Sequence, residues 1–487
     1  MTFTKLSELI VYKTFTLFLV LTSFLVIAND LPDFGDSAGS IVSPEYERRL
    51  GKVFLNQVRH FANVNKDPEI ESYIQSLGDK LVSYSDNNEQ SFTFFVVNAP
   101  SINAFAGPGG MIGMNSGVIL NSSNESELAA VMAHEITHVT QRHLARQFEE
   151  ASKYSLLNTA ALIGAILIGI SNPEAGMAAM TGAAGLAAQN SANFTRANEQ
   201  EADRIGMQVL VNAGYDPRGM PAFFEKLQQL SRYTQNAAPE FLRTHPLTTS
   251  RIADSRARAE DFLVKEFTNS HSYELIRYKL FVESSKSKKV AIKTLQQALN
   301  ENKVSTKKNS SIRYGLAYAY IGNREFAQAK QYVDYLLRDN PDDVAYLLLA
   351  AKFQTAQSNY NAAFDIFRKA HGLYPDYRPV VMAYSKALLD VSNGKKARDI
   401  LKNYERHHKH DLESYSLLGQ AEAMLGNEIE TAILQSEYYY LAAQTRLAVD
   451  KLKFIKQQYQ IDYYQEQRIN ARMVELEYEL ELEEGLK

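Results

Sequence analysis

The chain has 487 residues, of which 45% are apolar and 22% charged, and its formal net charge is −4. Because basic and acidic residues nearly balance, a nucleic-acid-binding surface over the whole chain is excluded, and we expect no nucleic-acid partner. The chain contains no Cys, which excludes disulfides, thiolate zinc sites and cysteine nucleophiles.

The N-terminal residues 1–28 have the pattern of a secretory signal. Basic residues precede an apolar run over residues 14–27. Val26 and Ala28 are small residues at the −3 and −1 positions of a cleavage site before Asn29. An uncleaved anchor is the alternative, although the run is shorter than the ~20 residues of a membrane span. We therefore expect an exported protein, periplasmic in a Gram-negative bacterium, with a loose leader over residues 29–44.

Three patterns follow in chain order. The run FTFFVV at 92–97 predicts a β-strand, and residues 103–120, with a central Gly-Pro-Gly-Gly, predict a β-hairpin. Apolar spacing over residues 125–148 predicts one long amphipathic helix, with Ser122 or Asn124 as its N-cap.

That helix carries the sequence His134-Glu135-Ile-Thr-His138, an HExxH motif. Residues four apart share a helix face, so both imidazoles can reach one zinc ion, and Glu135 is placed to act as the general base on water. The alternative is a solvated helix face. The cap, the preceding hairpin and a following acidic helix favour the metal site.

The acidic segment that follows supplies a third candidate ligand. Glu199 and Asp203 are four residues apart and share a face, whereas Glu201 points elsewhere. We predict that Glu199 binds the single zinc ion of the chain and that Asp203 accepts the outer N–H of a ligating His. The alternative for Asp203 is a surface ion pair with Arg204. His143 is expected to face solvent or to pack on the motif helix.

Residues 156–190 are apolar and contain one charged residue, Glu174. They admit three interpretations: a lid over the site, a segment in or on a membrane, or a client-binding surface. Their position between the two metal-binding helices favours the lid.

The C-terminal part, residues 270–487, repeats with a period of 34 and predicts an all-α tetratricopeptide-repeat domain. The repeated small residues and prolines are Ala329, Ala363 and Ala397, then Ala317, Ala351, Ser385 and Gly419, and finally Pro341 and Pro375. The cluster His407, His408 and His410 is interpreted as a solvated turn rather than a metal site.

HEITH followed by EQEAD, the Asn103-Ala104-Phe105-Ala106 hairpin arm and the Thr-His245-Pro…Arg251 segment together resemble the HtpX/CAAX-protease-2 class of zinc metallopeptidases. The resemblance covers about residues 45–262. It implies that His134, His138 and Glu199 bind zinc, that Glu135 is the base, and that residues 103–106 form the edge strand that pairs with substrate. We therefore expect an α-rich protein with a zincin-like α+β metallopeptidase domain, residues 45–265, before the repeats.

His245 and Arg251 keep several possible roles. His245 precedes a proline that holds it extended, so it could assist catalysis at the oxyanion, fill the open zinc position and silence the enzyme, or be a surface residue. The inhibitory ligand is favoured by a small margin. Arg251 could pair with Asp203 or Glu201, or guide the substrate carbonyl.

With the export signal and the repeats, the resemblance implies a zinc endopeptidase with a chaperone-like role in outer-membrane β-barrel assembly. Its clients would be unfolded or misassembled outer-membrane proteins, and its repeats would bind clients or the β-barrel assembly machinery. Peripheral membrane contact is compatible with this function. The alternatives are a chaperone or scaffold with latent protease activity, and a membrane-inserted protease.

Overall fold

The computed structural model describes residues 43–86, 90–152, 188–233, 239–263, 267–301, 306–408 and 411–484. The signal, nearly all of the leader, His410 and most of the apolar segment 156–190 lie outside these residues, so the predictions made for them stay predictions. Among the described helices, none is both long and apolar enough to cross a membrane.

The first part of the chain is a helical domain built around one small sheet. Its elements are α1 (Pro44–Phe61), α2 (Pro68–Val82), β1 (Thr93–Val97), β2 (Ala104–Gly107), a 3₁₀ turn (Pro108–Gly110), β3 (Met111–Asn115), α3 (Ser116–Asn121), α4 (Glu125–Thr140), α5 (His143–Ser152), α6 (Ala188–Asn212), α7 (Gly219–Tyr233), α8 (Phe241–Thr244) and α9 (Thr249–Glu260).

The sheet has the order β1-β3-β2, with β1 parallel and β2 antiparallel to β3. The predicted strand and hairpin are confirmed, but the second hairpin arm ends at Asn115 because residues 116–121 form α3. In the turn, Gly109 has φ +66°, and a Cβ there would lie 2.9 Å from the Glu47 carbonyl oxygen of α1. Only glycine tolerates both conditions.

The HExxH helix, α4, differs from its prediction in length and in exposure. Its N-cap is Asn124, whose side chain accepts from the Glu127 N–H at 2.9 Å. The helix ends at Thr140, and Arg142 adopts the left-handed φ of +52° before α5 begins. The helices α2, α6 and α7 pack around α4, so every residue of α4 is buried except His138, which is partly exposed. The prediction of a single amphipathic helix over residues 125–148 was therefore wrong.

The second part of the described chain is all-helical and stacks in antiparallel pairs, which confirms the tetratricopeptide prediction. Its helices are α10 (His271–Ser284), α11 (Lys288–Glu301), α12 (Thr306–Gly322), α13 (Phe326–Asp339), α14 (Val344–Thr355), α15 (Tyr360–Leu373), α16 (Arg378–Asp390), α17 (Gly394–Glu405), α18 (Leu412–Met424), α19 (Glu428–Leu441), α20 (Thr445–Gln458) and α21 (Tyr463–Glu484). The alanines of the 34-residue period are fully buried where paired helices approach each other.

The first repeat helix, α10, joins the two parts. Tyr273, Ile276 and Leu280 on one face belong to the apolar core of the first domain. Leu275 and Val282 on another face belong to the core of the first repeats. The repeats are therefore packed against the first domain through a shared hydrophobic element.

Candidate metal centre

The candidate ligands come from two helices and one loop. His134 and His138 lie on one face of α4, and Glu199 lies on α6, which packs along α4. Gly206 permits this packing, because a Cβ there would lie 3.1 Å from the Ala133 carbonyl oxygen. Because Gly206 has no side chain, α6 can pack closely against α4, which brings the acidic segment next to the motif.

His245, from the loop after α8, completes a cluster whose four donor atoms lie within 4.8 Å of one another. His134 Nε2 is 3.1 Å from His138 Nε2 and 3.3 Å from His245 Nδ1. Glu199 Oε1 is 3.4 Å from His138 Nε2 and 3.0 Å from His245 Nδ1. Tetrahedral ligands about 2.0–2.1 Å from zinc are about 3.3–3.4 Å apart, so these four residues fit such an ion.

The electrostatics of the cluster also fit a cation. Burial alone lowers the pKa of His134, but hydrogen bonds to Asp203 and Glu199 outweigh it and raise that pKa to about 10. Burial raises the pKa of Glu199, yet the facing His245 and His134 hold it well below its usual range. Burial also lowers the pKa of His138 well below its usual range. The site therefore combines anionic carboxylates with a preference for positive charge at its centre.

Glu135 lies beside the cluster and is completely buried. Its Oε1 is 3.4 Å from His245 Nε2. Burial raises the pKa of Glu135, whereas His245, His134 and the backbone of Ala106 in β2 act against that rise. A carboxylate whose pKa moves toward neutrality is suited to accept and return a proton.

His245 is positioned by its own loop. Its ring stacks on Phe241 with centroids 4.6 Å apart, and its N–H donates to the Phe241 carbonyl oxygen at 2.8 Å. The Phe241 N–H in turn donates to the carbonyl oxygen of Ile102, which lies two residues before the edge strand β2. The residue is 7% exposed, so the surface alternative for His245 is wrong.

Asp203 and Arg251 form a buried layer behind the ligands. Asp203 Oδ1 lies 3.1 Å from His134 Nδ1, and both Asp203 oxygens accept from Arg251 at 2.7 and 2.8 Å. Arg251 Nη1 also contacts Glu199 at 2.9 Å and donates to the Pro246 carbonyl oxygen at 2.8 Å. The Arg204 alternative for Asp203 is wrong, and Arg251 pairs with Asp203 rather than Glu201.

The predicted substrate strand lies at the sheet edge. The Asn115 N–H donates to the Asn103 carbonyl oxygen, so alternation in the antiparallel ladder turns the N–H and C=O groups of Ala104 and Ala106 away from β3. Phe105 is half-buried between these two residues. Within the described ranges, no strand pairs with this outer edge.

Sequence reasoning missed the contacts of three residues near the site. His143 is 1% exposed and lies against His138, so the alternative that it packs on the motif helix is confirmed and the solvent-facing alternative is wrong. Glu201 points away from the four-residue cluster, as predicted, but its contact with His143 was missed. Glu240 accepts from the Asn103 side chain at 3.0 Å. No local spacing signalled these contacts. Far from the site, His407 and His408 lie exposed in a turn.

A model of peptidase family M48 matches residues 68–259, and a tetratricopeptide-repeat model matches residues 289–353. The chain is 36% identical over 459 residues to the beta-barrel assembly-enhancing protease of Escherichia coli, spanning 94% of this chain and 93% of that protein. It is 32% identical over 456 residues to the protein of the same name from Yersinia pestis, spanning 93% of each. The chain is therefore a metalloprotease that belongs to peptidase family M48 and continues into tetratricopeptide repeats.

Proposed function

We propose that this chain is an exported, periplasmic zinc endopeptidase that degrades misfolded or stalled clients during outer-membrane β-barrel assembly. The observation that carries the proposal is the cluster of His134, His138, Glu199 and His245 around one point, with Glu135 beside it. The names of the relatives support the biological setting. The proposed protease domain is residues 45–265, and the proposed client- or machinery-binding repeats are residues 270–487.

In this proposal the chain holds an extended client segment along β2. The outward N–H and C=O groups of Ala104 and Ala106 pair with the client backbone as an added strand. A zinc ion held by His134, His138 and Glu199 would supply Lewis acidity and lower the pKa of water to about 7. Glu135 takes the proton of the attacking water as oxygen bonds to the scissile carbonyl carbon. It then returns that proton to the amine nitrogen as the C–N bond breaks.

His245 gives this protease a latent form. Its Nδ1 occupies the corner of the cluster that water and substrate need, 3.0 Å from Glu199. We propose that His245 acts as a fourth zinc ligand and leaves when a client binds. Because this observation favours a closed resting site, a chaperone or scaffold with latent protease activity is the second candidate function.

The decisive comparison uses Glu135→Gln, which keeps the side-chain shape but cannot accept the proton. We expect the wild type to cleave a denatured β-barrel precursor and the variant to lose roughly 10²–10⁴-fold in rate. Both proteins should bind one zinc ion. Glu225→Gln, at a partly exposed residue paired with Arg256, is the matched control and should cleave normally. Equal cleavage by wild type and Glu135→Gln would contradict the mechanism.

The latent form is tested separately with His245→Ala. The variant should keep zinc, because three ligands remain, and should cleave faster than the wild type. His60→Ala, on the exposed side of α1, is the control. If His245→Ala binds zinc and is inert, the inhibitory role is wrong and the oxyanion role gains support.

A further inference from the structure

His143 contacts the outer nitrogen of a metal-binding histidine. Its Nδ1 lies 2.9 Å from Nδ1 of His138, and the two rings are 4.8 Å apart at an interplanar angle of 80°. The residue before it, Arg142, has the left-handed φ of +52°, which non-glycine residues seldom adopt. This turn ends α4 and returns the chain so that the His143 ring lies beside the last ligand of the motif.

A carboxylate supports His143 from its other side. Glu201 Oε2 lies 3.0 Å from His143 Nε2, and Arg146 Nη1 is 3.0 Å from the same oxygen. The side chain of His143 is 2% exposed and that of Glu201 is 29% exposed. The row His138, His143, Glu201 therefore runs from the metal cluster outward to solvent.

The protons along this row have one consistent arrangement. His138 must present its Nε2 lone pair to a metal, so its proton is on Nδ1 and is donated to His143 Nδ1. His143 then carries its own proton on Nε2 and donates it to Glu201. Every nitrogen and the terminal carboxylate are satisfied, which is what a buried polar row requires.

We infer that His143 and Glu201 are positioning residues that orient His138 toward the metal. The inference rests on the proposed zinc site. It gives the acidic segment of α6 three separate tasks: Glu199 lies at the metal point, Asp203 supports His134 directly, and Glu201 supports His138 through a second imidazole. Such outer partners fix the tautomer and the ring orientation of a ligand, and their loss weakens metal binding by about 10–100-fold.

The test measures zinc affinity of the full chain by competition with a chelator, together with the visible spectrum of the cobalt-substituted protein. His143→Phe keeps a ring but accepts no proton, and should weaken zinc binding by about 10–100-fold and change the cobalt spectrum. His143→Asn retains an acceptor near the position of Nδ1, and should recover part of that loss. Glu201→Gln should weaken binding in the same direction.

The double variant His143→Phe, Glu201→Gln separates a positioning row from independent packing effects. Because both residues act through one row, the double variant should bind zinc about as weakly as His143→Phe alone. His60→Phe, at an exposed site, and Glu225→Gln, at a partly exposed one, are the controls and should match the wild type. Unfolding midpoints in excess chelator report any loss of folding apart from the metal.

Two results would overturn the inference. If His143→Phe binds zinc within about twofold of wild-type affinity and its cobalt spectrum is unchanged, His143 is not a positioning residue. If the losses of zinc affinity in the two single variants add fully in the double variant, His143 and Glu201 do not act through one row. If His143→Phe does not fold, His143→Asn and Glu201→Gln decide by the same criteria. A wild type that binds no zinc refutes the proposed function and this inference together, whereas zinc-binding wild type with unaffected variants refutes this inference alone.

Discussion

At the scale of single residues, Arg251 supplies the charge that lets two carboxylates lie buried next to each other. It is 4% exposed, and it pairs with Asp203 and Glu199, which are 3% exposed each. It also binds the Pro246 carbonyl oxygen, one residue past His245. The loop that carries the candidate fourth ligand is thus tied to the residues behind the site. Removing one partner of a buried ionic network leaves the other charges buried without a counter-charge. The resulting loss in the free energy of unfolding is larger than the net stabilisation that the intact network provides.

We expect Arg251→Met to lower the free energy of unfolding by about 3–5 kcal/mol, because Asp203 and Glu199 would keep their burial without the guanidinium. Urea denaturation with chelator present measures this loss without a metal contribution. Arg256→Met, on the same helix but 60% exposed, should change stability by less than about 0.5 kcal/mol. Similar small losses for both variants would show that the buried pairing is not stabilising.

At the scale of elements, β2 is the strand that joins the fold to its chemistry. One edge pairs with β3, and the outward groups of Ala104 and Ala106 point toward the side of the site, where the Ala106 backbone interacts with Glu135. Asn103 is fixed by Glu240, from the segment that leads into the His245 loop. An edge strand held in this way can accept an added strand, because no described strand pairs with its outer edge.

Ala106→Pro removes no ladder hydrogen bond, and proline is tolerated at such edge positions. It removes the outward N–H that also interacts with Glu135, so it tests strand pairing and the Glu135 contact together. We expect cleavage of an unfolded client to fall by roughly tenfold or more, since a main-chain hydrogen bond to a buried extended segment is worth about 1–2 kcal/mol. The unfolding midpoint should stay close to the wild type. Ala106→Ser keeps both backbone groups and should cleave like the wild type. An Ala106→Pro variant with unchanged cleavage would exclude strand addition at this edge.

At the scale of the whole molecule, charged groups join the protease domain to the repeats. Lys279 of α10 is 1% exposed and pairs with Asp67 at 2.7 Å and with Glu69, at the start of α2. Arg378 of α16 donates to Glu71 at 2.7 Å, two residues further along α2. The acidic N-terminal end of one protease helix therefore lies among cations from separate repeats. Both partners of each pair are required, so the relative placement of the two parts is specified.

We expect Lys279→Met to lower the free energy of unfolding at neutral pH by about 3–5 kcal/mol, because the half-buried Asp67 and Glu69 would lose their buried counter-charge. Burial acts to raise the pKa of Asp67, but Lys279, together with Lys352 and the Glu69 backbone N–H, holds that pKa below its usual value. A lowered carboxyl pKa stabilises the fold above the unfolded-state pKa of about 3.9, and the effect is lost as pH falls below it.

The stability difference between wild type and Lys279→Met should therefore shrink as pH is lowered from about 5 to about 3. Urea denaturation at several pH values measures it. Lys293→Met, an exposed lysine on α11, is the control and should show little effect at any pH. A difference that stays constant through this range would contradict the Asp67 pairing.

Local patterns in the sequence determined much of this protein. The 34-residue period predicted the repeat helices, because each repeat buries the same small positions against its neighbours. The HExxH and EQEAD spacings placed His134, His138 and Glu199 on matching helix faces, and the structure brings those faces together. Residues four apart on a helix are neighbours in any context, so such patterns survive without knowledge of the fold.

Only the tertiary structure decided the remainder. The α4 boundary depends on the left-handed turn at Arg142, and His143 is buried because that turn meets Glu201 of another helix. His245 reaches His134 across 111 residues, and Lys279 reaches Asp67 across 212. Contacts at such separations depend on how helices pack and how loops close, and no spacing along the chain encodes them.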